Sequence, residues 1–133
     1  GLLGSELAAA LGDEQPEVRQ AALEALAAQG PVAAQFAGQV VRAAREDASE
    51  DARVAALAAL LAMGAEAARH TEQLVELALR DSSSDVQYAA VKALCTLREP
   101  AGLHQEQLLA ALGDGDAGVR WGAAEALGAL GAA

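Results

Sequence analysis

The chain has 133 residues and a net charge of −10, with 9 Lys and Arg against 19 Asp and Glu. It is 53% hydrophobic but only 2% aromatic, and 37 Ala, 20 Leu and 9 Val supply most of the apolar content. This balance excludes a disordered chain, and the single cysteine excludes a disulfide scaffold or a Cys-rich zinc site. Abundant Ala and Leu with few β-branched residues favour helix over strand. One cysteine suits a reducing, intracellular compartment. No uninterrupted apolar run reaches the roughly 18 residues that a membrane helix needs. The opening Gly1-Leu2-Leu3-Gly4 lacks the basic region of a signal peptide. One domain over residues 1–133 is the expectation at this length.

Taken in chain order, four segments align without gaps: Pro16 to Gly30, Glu50 to Gly64, Ser84 to Arg98 and Ala117 to Gly131. Their starts lie 34, 34 and 33 residues apart, which marks an internal repeat. Ala22, Ala56, Ala90 and Ala123 form one constant column. Ala25, Ala59, Ala93 and Ala126 form a second, and Leu26, Leu60, Leu94 and Leu127 a third. An aspartate precedes each segment at the same offset: Asp13, Asp47, Asp81 and Asp114. Each unit therefore reads as a hairpin of two helices, over about 2–30, 35–64, 70–98 and 104–131.

The second helix of each hairpin is the more regular. Ser49, Ser83 and Asp116 stand where an N-cap oxygen is needed, and Pro16 fits a first helical turn. Val18, Ala22, Ala25, Leu26 and Gln29 follow three- and four-residue spacing, which predicts one buried stripe. Gly30, Gly64 and Gly131 are expected to stop their helices, with Arg98-Glu99-Pro100 taking that place in the third unit. In the first helices, Leu7, Ala10 and Leu11 recur as Val75, Ala78 and Leu79, and as Leu108, Ala111 and Leu112. The second unit has Val41, Ala44 and Arg45 there, an imperfect stripe. Small residues in these columns let helices pack closely.

The phrases ALGDEQPEVRQAALEALAAQG and ALGDGDAGVRWGAAEALGALG resemble the HEAT-like repeat in its short form, sometimes named after phycobilisome lyases. The resemblance runs from about Glu6 to Gly131. It implies an all-α, right-handed α-solenoid of four HEAT-like helical hairpins whose second helices line a concave face. It also implies a ladder of Asp and Arg across the turns between helices. Asp13 and Arg19, Asp47 and Arg53, and Asp114 and Arg120 each stand six residues apart. Asp81 is followed by Gln87, so the ladder is expected to weaken in the third unit.

The variable column after the arginine holds Gln20, Val54, Tyr88 and Trp121. On a concave face, Tyr88 and Trp121 would sit on neighbouring repeats, with Glu24, Lys92 and Glu125 beside this column. Large amphipathic rings make good interface anchors, so a protein or peptide is the expected partner. The other reading is that the rings merely cover an Ala-rich surface. The acidic balance favours a partner with basic features.

Other chemistries fit less well. HEAT-like hydroxylases hold iron through adjacent His-Glu pairs. Here His70-Thr71-Glu72 and His104-Gln105-Glu106 displace the Glu by one residue, so both histidines are expected on the surface with no metal. Nucleic acid needs clustered cations; the chain offers Lys92 and the pair Arg42 and Arg45. Cys95 sits inside a regular helix without a neighbouring base, and reads as a small buried thiol. No cofactor site or catalytic set is evident, and the reading is a non-enzymatic scaffold. The alternative is a HEAT-type accessory enzyme such as a chromophore lyase. Leu3 and Leu7 at one edge, with Leu127 and Leu130 at the other, read as stacking positions without neighbours. They predict further repeats or end-to-end association.

Overall fold

The structure, a computed structural model, describes residues 2–97 and 104–131. Among these described residues eight α-helices follow in order: α1 (Leu2–Ala10), α2 (Pro16–Gln29), α3 (Ala37–Glu46), α4 (Glu50–Ala62), α5 (Thr71–Arg80), α6 (Ser84–Leu97), α7 (Gln105–Ala111) and α8 (Ala117–Gly131). Two 3₁₀ segments, Gly30–Phe36 and Gly64–His70, precede α3 and α5. No strand occurs among the described residues. The fold is all-α, a helical-hairpin repeat of the solenoid class. The hairpin reading had no place for the 3₁₀ segments, which occupy what composition shows only as short Ala-rich connections.

The chain forms two compact units, Gly1–Arg69 and His70–Ala133, each with two hairpins. In the first, α1 packs on α2, α2 on α4 and α3 on α4. Ala22, Leu23 and Leu26 of α2 meet a core continued by Val40 and Ala44 of α3 and by Ala56, Leu57 and Leu60 of α4. Fully burying one such leucine is worth about 1.5–3 kcal/mol. Val18, expected in the stripe, is 40% exposed, and Ala25 and Gln29 are only partly covered. Within this unit α2 packs mainly on α4 and α1, so its buried arc centres on Leu23 and Leu26 instead. Gly30 ends α2 at φ 61 and Gly64 follows α4 at φ 74, left-handed conformations that glycine adopts without strain. Gly4 serves differently: a Cβ there would stand 2.8 Å from the Phe36 ring, so its absence lets that ring lie on α1.

In the second unit α6 packs on α5 and α8, and α8 also meets α5 and α7. Leu74, Val75 and Leu79 of α5 bury against Val86, Ala90 and Leu94 of α6, with Leu108 and Ala123 completing the core. The helix crossing is close: a Cβ on Gly122 of α8 would overlap the Ala78 carbonyl of α5. Gly131 closes α8 as its last residue. Arg98-Glu99-Pro100 lies outside the described residues.

Candidate protein-binding surface and the turn ladder

Each turn between the helices of a hairpin is closed by its aspartate. The amides of Gln15, Ser49, Ser83 and Asp116 donate to Oδ1 of Asp13, Asp47, Asp81 and Asp114, each at 2.9 Å. This is the local turn that Asx side chains favour. The caps then start the second helices: Ser49 Oγ accepts from the Ala52 amide and Ser83 Oγ from Val86, at 3.3 and 3.4 Å. Asp116 Oδ1 accepts from Gly118 at 2.7 Å. Pro16 opens α2, where Gln15 makes no side-chain cap.

The arginines cross this framework in two directions. Arg19, Arg53 and Arg120 donate through Nη1 to the carbonyls of Asp13, Asp47 and Asp114, at 2.9, 2.8 and 2.8 Å. The six-residue spacing thus joins each guanidinium to the backbone of its own turn. The carboxylate contact runs to the next hairpin: Arg19 Nε and Nη2 fork onto Asp47 Oδ2 and Oδ1 at 2.8 and 3.0 Å. Such bidentate pairs are strong and orientationally specific. Burial alone would raise the Asp47 carboxyl, but the Arg19 and Ser49 hydrogen bonds and nearby arginine charges outweigh it and hold it below the usual range. The bond to Asp47 likewise raises Arg19 against the opposing effect of burial.

At the third hairpin the expected weak rung is bridged by different chemistry. Gln87 is only 4% exposed. Its Nε2 lies 3.2 and 3.1 Å from the Ala78 and Leu79 carbonyls of α5, and 2.8 Å from the Gly118 carbonyl of α8. The sequence showed a missing arginine; it held no sign that an amide would gather three carbonyls. The nearest signal was the pair Gly118 and Gly122, which clears space for that approach.

The variable column divides between the units. In the first, Gln20 is half-buried and donates to Glu24 along α2 at 3.3 Å, and Val54 is half-buried on α4. In the second, Tyr88 on α6 and Trp121 on α8 are 50% and 38% exposed, and these two helices pack directly on each other. Lys92 Nζ lies 5.6 Å from the Tyr88 ring centroid, one helical turn along. That is cation–π range. Lys92 and Glu125 are both exposed. The second unit therefore presents two rings and two opposite charges on adjacent helices.

Remaining candidates separate from this surface. A cleft of about 440 Å³ in the first unit lies between α1 and α3, lined by Ala8, Leu11, Gln39, Arg42, Glu46 and Asp47. Sequence reasoning missed it, since it needs the two first helices side by side. His70 and His104 are not simple surface residues: both are half-buried just before α5 and α7, and His104 Nε2 is buried without a hydrogen-bond partner. Each histidine is the residue just before its helix, and neither side chain caps that helix. Among the described residues no group of three or more His, Cys, Asp or Glu could hold a metal ion. The Cys95 side chain lies outside the described residues. No described helix is long and apolar enough to cross a membrane.

Comparison with known proteins agrees with the geometry. The family model described as HEAT repeats matches residues 71–133, and that described as HEAT repeat matches residues 3–28. Neither description carries the phycobilisome-lyase subtype. No curated protein matches the chain.

Proposed function

Because this chain is a HEAT-repeat protein, a class of repeat that mediates protein–protein interaction, we propose that it is a non-enzymatic scaffold whose partner docks on the α6–α8 face. The observation that carries the reading is the exposure of Tyr88 and Trp121 on directly packed helices. A large ring left half in water gains most when a partner covers it, because its apolar area is removed at little cost in side-chain entropy. Lys92 and Glu125 supply charges that orient a partner without dominating its affinity. Gln20, Glu24 and Val54 offer the first unit a more polar surface. The net charge of −10 favours a partner with basic features.

The test compares the wild type with the Tyr88→Ala/Trp121→Ala double variant as bait, followed by titration of each retained protein. At least one partner should bind the wild type directly and lose about tenfold or more in the variant. Thermal stability should change little, since both rings are exposed. Equal binding by both baits, or a collapse of helicity in the variant, overturns the reading.

A further inference from the structure

Tyr88 and Trp121 hold the same place on successive hairpins, but the residue one turn further along differs in sign. On α6 it is Lys92, whose Nζ lies 5.6 Å from the Tyr88 ring centroid. On α8 it is Glu125. Residues four apart on a helix stand side by side, about 5–6 Å between Cβ atoms. The Lys92 contact shows that on this face the second side chain reaches the ring. Tyr88 thus carries a cation supplied by its own helix. Trp121 has a carboxylate beside it instead, and no cation lies over its ring among the described residues. Arg120, its chain neighbour, donates to the Asp114 carbonyl at 2.8 Å. Glu125 makes no ion pair among the described residues.

The openness of this pair belongs to its columns. Tyr88 is exposed although α8 packs on its helix. The column of Glu24, Ala58, Lys92 and Glu125 is exposed at every one of those positions. Around Trp121 the surface of α8 is low: Ala124 is exposed, and a Cβ on Gly128 would meet open space. Leu127 is half-buried, and the Leu130 side chain lies outside the described residues. A long side chain from outside can therefore lie along α8 and meet ring and carboxylate together.

We infer, resting on the docking face proposed above, that the partner anchors there through an arginine stacked on the Trp121 indole and paired with Glu125. An indole is the best aromatic seat for a cation. A guanidinium is the cation that stacks flat while offering a fork to a carboxylate, whereas an ammonium acts as a more strongly hydrated point charge. Lys92 disfavours a second cation at Tyr88, so the arginine is directed to α8 and not to α6.

Trp121 is the one tryptophan of the chain, so its fluorescence reads the site directly. The probes are capped Gly-Ser peptides of equal length carrying two arginines, two lysines or two citrullines, titrated at low salt. The arginine peptide should give a saturable change. The lysine peptide should bind about threefold or more weaker, and the uncharged citrulline peptide not at all. Glu125→Gln should weaken the arginine peptide by about threefold to fivefold. Glu125→Lys, which gives Trp121 a cation of its own, should abolish binding. Glu72→Gln, an equal change of charge at an exposed position of α5, should bind like the wild type. The inference is overturned by no saturable response to the arginine peptide, by a lysine or citrulline peptide that matches it, or by equal losses in Glu125→Gln and Glu72→Gln. Binding that survives Glu125→Lys overturns it too. A partner retained on the wild-type bait separates this inference from the reading beneath it. Loss in Tyr88→Ala/Trp121→Ala with full binding by Glu125→Gln overturns the arginine and leaves the docking face standing. Full binding by the double-alanine variant overturns the docking face, and the arginine with it.

Discussion

The two units stitch neighbouring hairpins together with different chemistry. In the first, a charged fork spans the seam, Arg19 on Asp47, near the surface. In the second, a neutral amide gathers three carbonyls in the interior, Gln87 on Ala78, Leu79 and Gly118. The difference follows from reach. A guanidinium can bridge two hairpins from near the surface, whereas a glutamine must be brought nearer, and Gly118 and Gly122 leave the room for that. The charged seam is pH- and salt-dependent; the amide seam is neither. Equivalent places in a repeat can therefore look like a defect in sequence and still be fully bonded.

Three substitutions sharpen this contrast. The largest effect is expected from Gly122→Leu, because its side chain has no space beside the Ala78 carbonyl. Overpacking against backbone should cost about 3 kcal/mol or more, read as a large fall in the urea midpoint of the second unit. An unchanged midpoint would show that α5 and α8 can separate freely. Next is Gln87→Leu, which keeps volume but strips the donor from the buried carbonyls. Loss of about 1–3 kcal/mol is expected, with no dependence on pH.

The smallest and most diagnostic effect belongs to Asp47→Asn, which retains an acceptor for the Ser49 amide but removes the charge facing Arg19. Asp47 titrates below its unfolded value, so the ionised carboxylate stabilises the fold above about pH 4. That contribution disappears as pH falls through the folded value. Thermal melts should show the gap between wild type and Asp47→Asn at neutral pH and lose it in acid. The Gln87→Leu gap should persist over the same range. A gap for Asp47→Asn that survives full protonation would mean the ion pair is not its source.

Much of the fold could be read from residues whose chemistry is local. The Ser49, Ser83 and Asp116 caps act within three residues, and the Ala and Leu columns repeat in register, so hairpin number and order were legible. Gly30 and Gly64 marked the helix ends for the same reason. What escaped the sequence depends on distance across the chain. Six-residue spacing ties Arg19 to its own turn, and nothing in that spacing reveals that its fork lands on Asp47. Val18 fits a helical stripe by period, yet its exposure depends on how many neighbours flank α2. Gln87 could be seen to break the pattern, but not to replace it. The exposure of Tyr88 and Trp121 was legible because their column lies off the buried columns of each helix. What binds there depends on another molecule's shape.

The near-contact at Gly122 also bears on modularity. Repeat arrays invite the idea that hairpins can be shuffled like identical bricks. Here the last hairpin is keyed to its predecessor, since Gly122 and Gln87 answer each other across one seam. A hairpin with Ala in the place of Gly122 would clash behind Gln87, because its Cβ would meet the Ala78 carbonyl. The order of these hairpins is thus written into their edges, and a transposed chain of identical composition would not be the same protein.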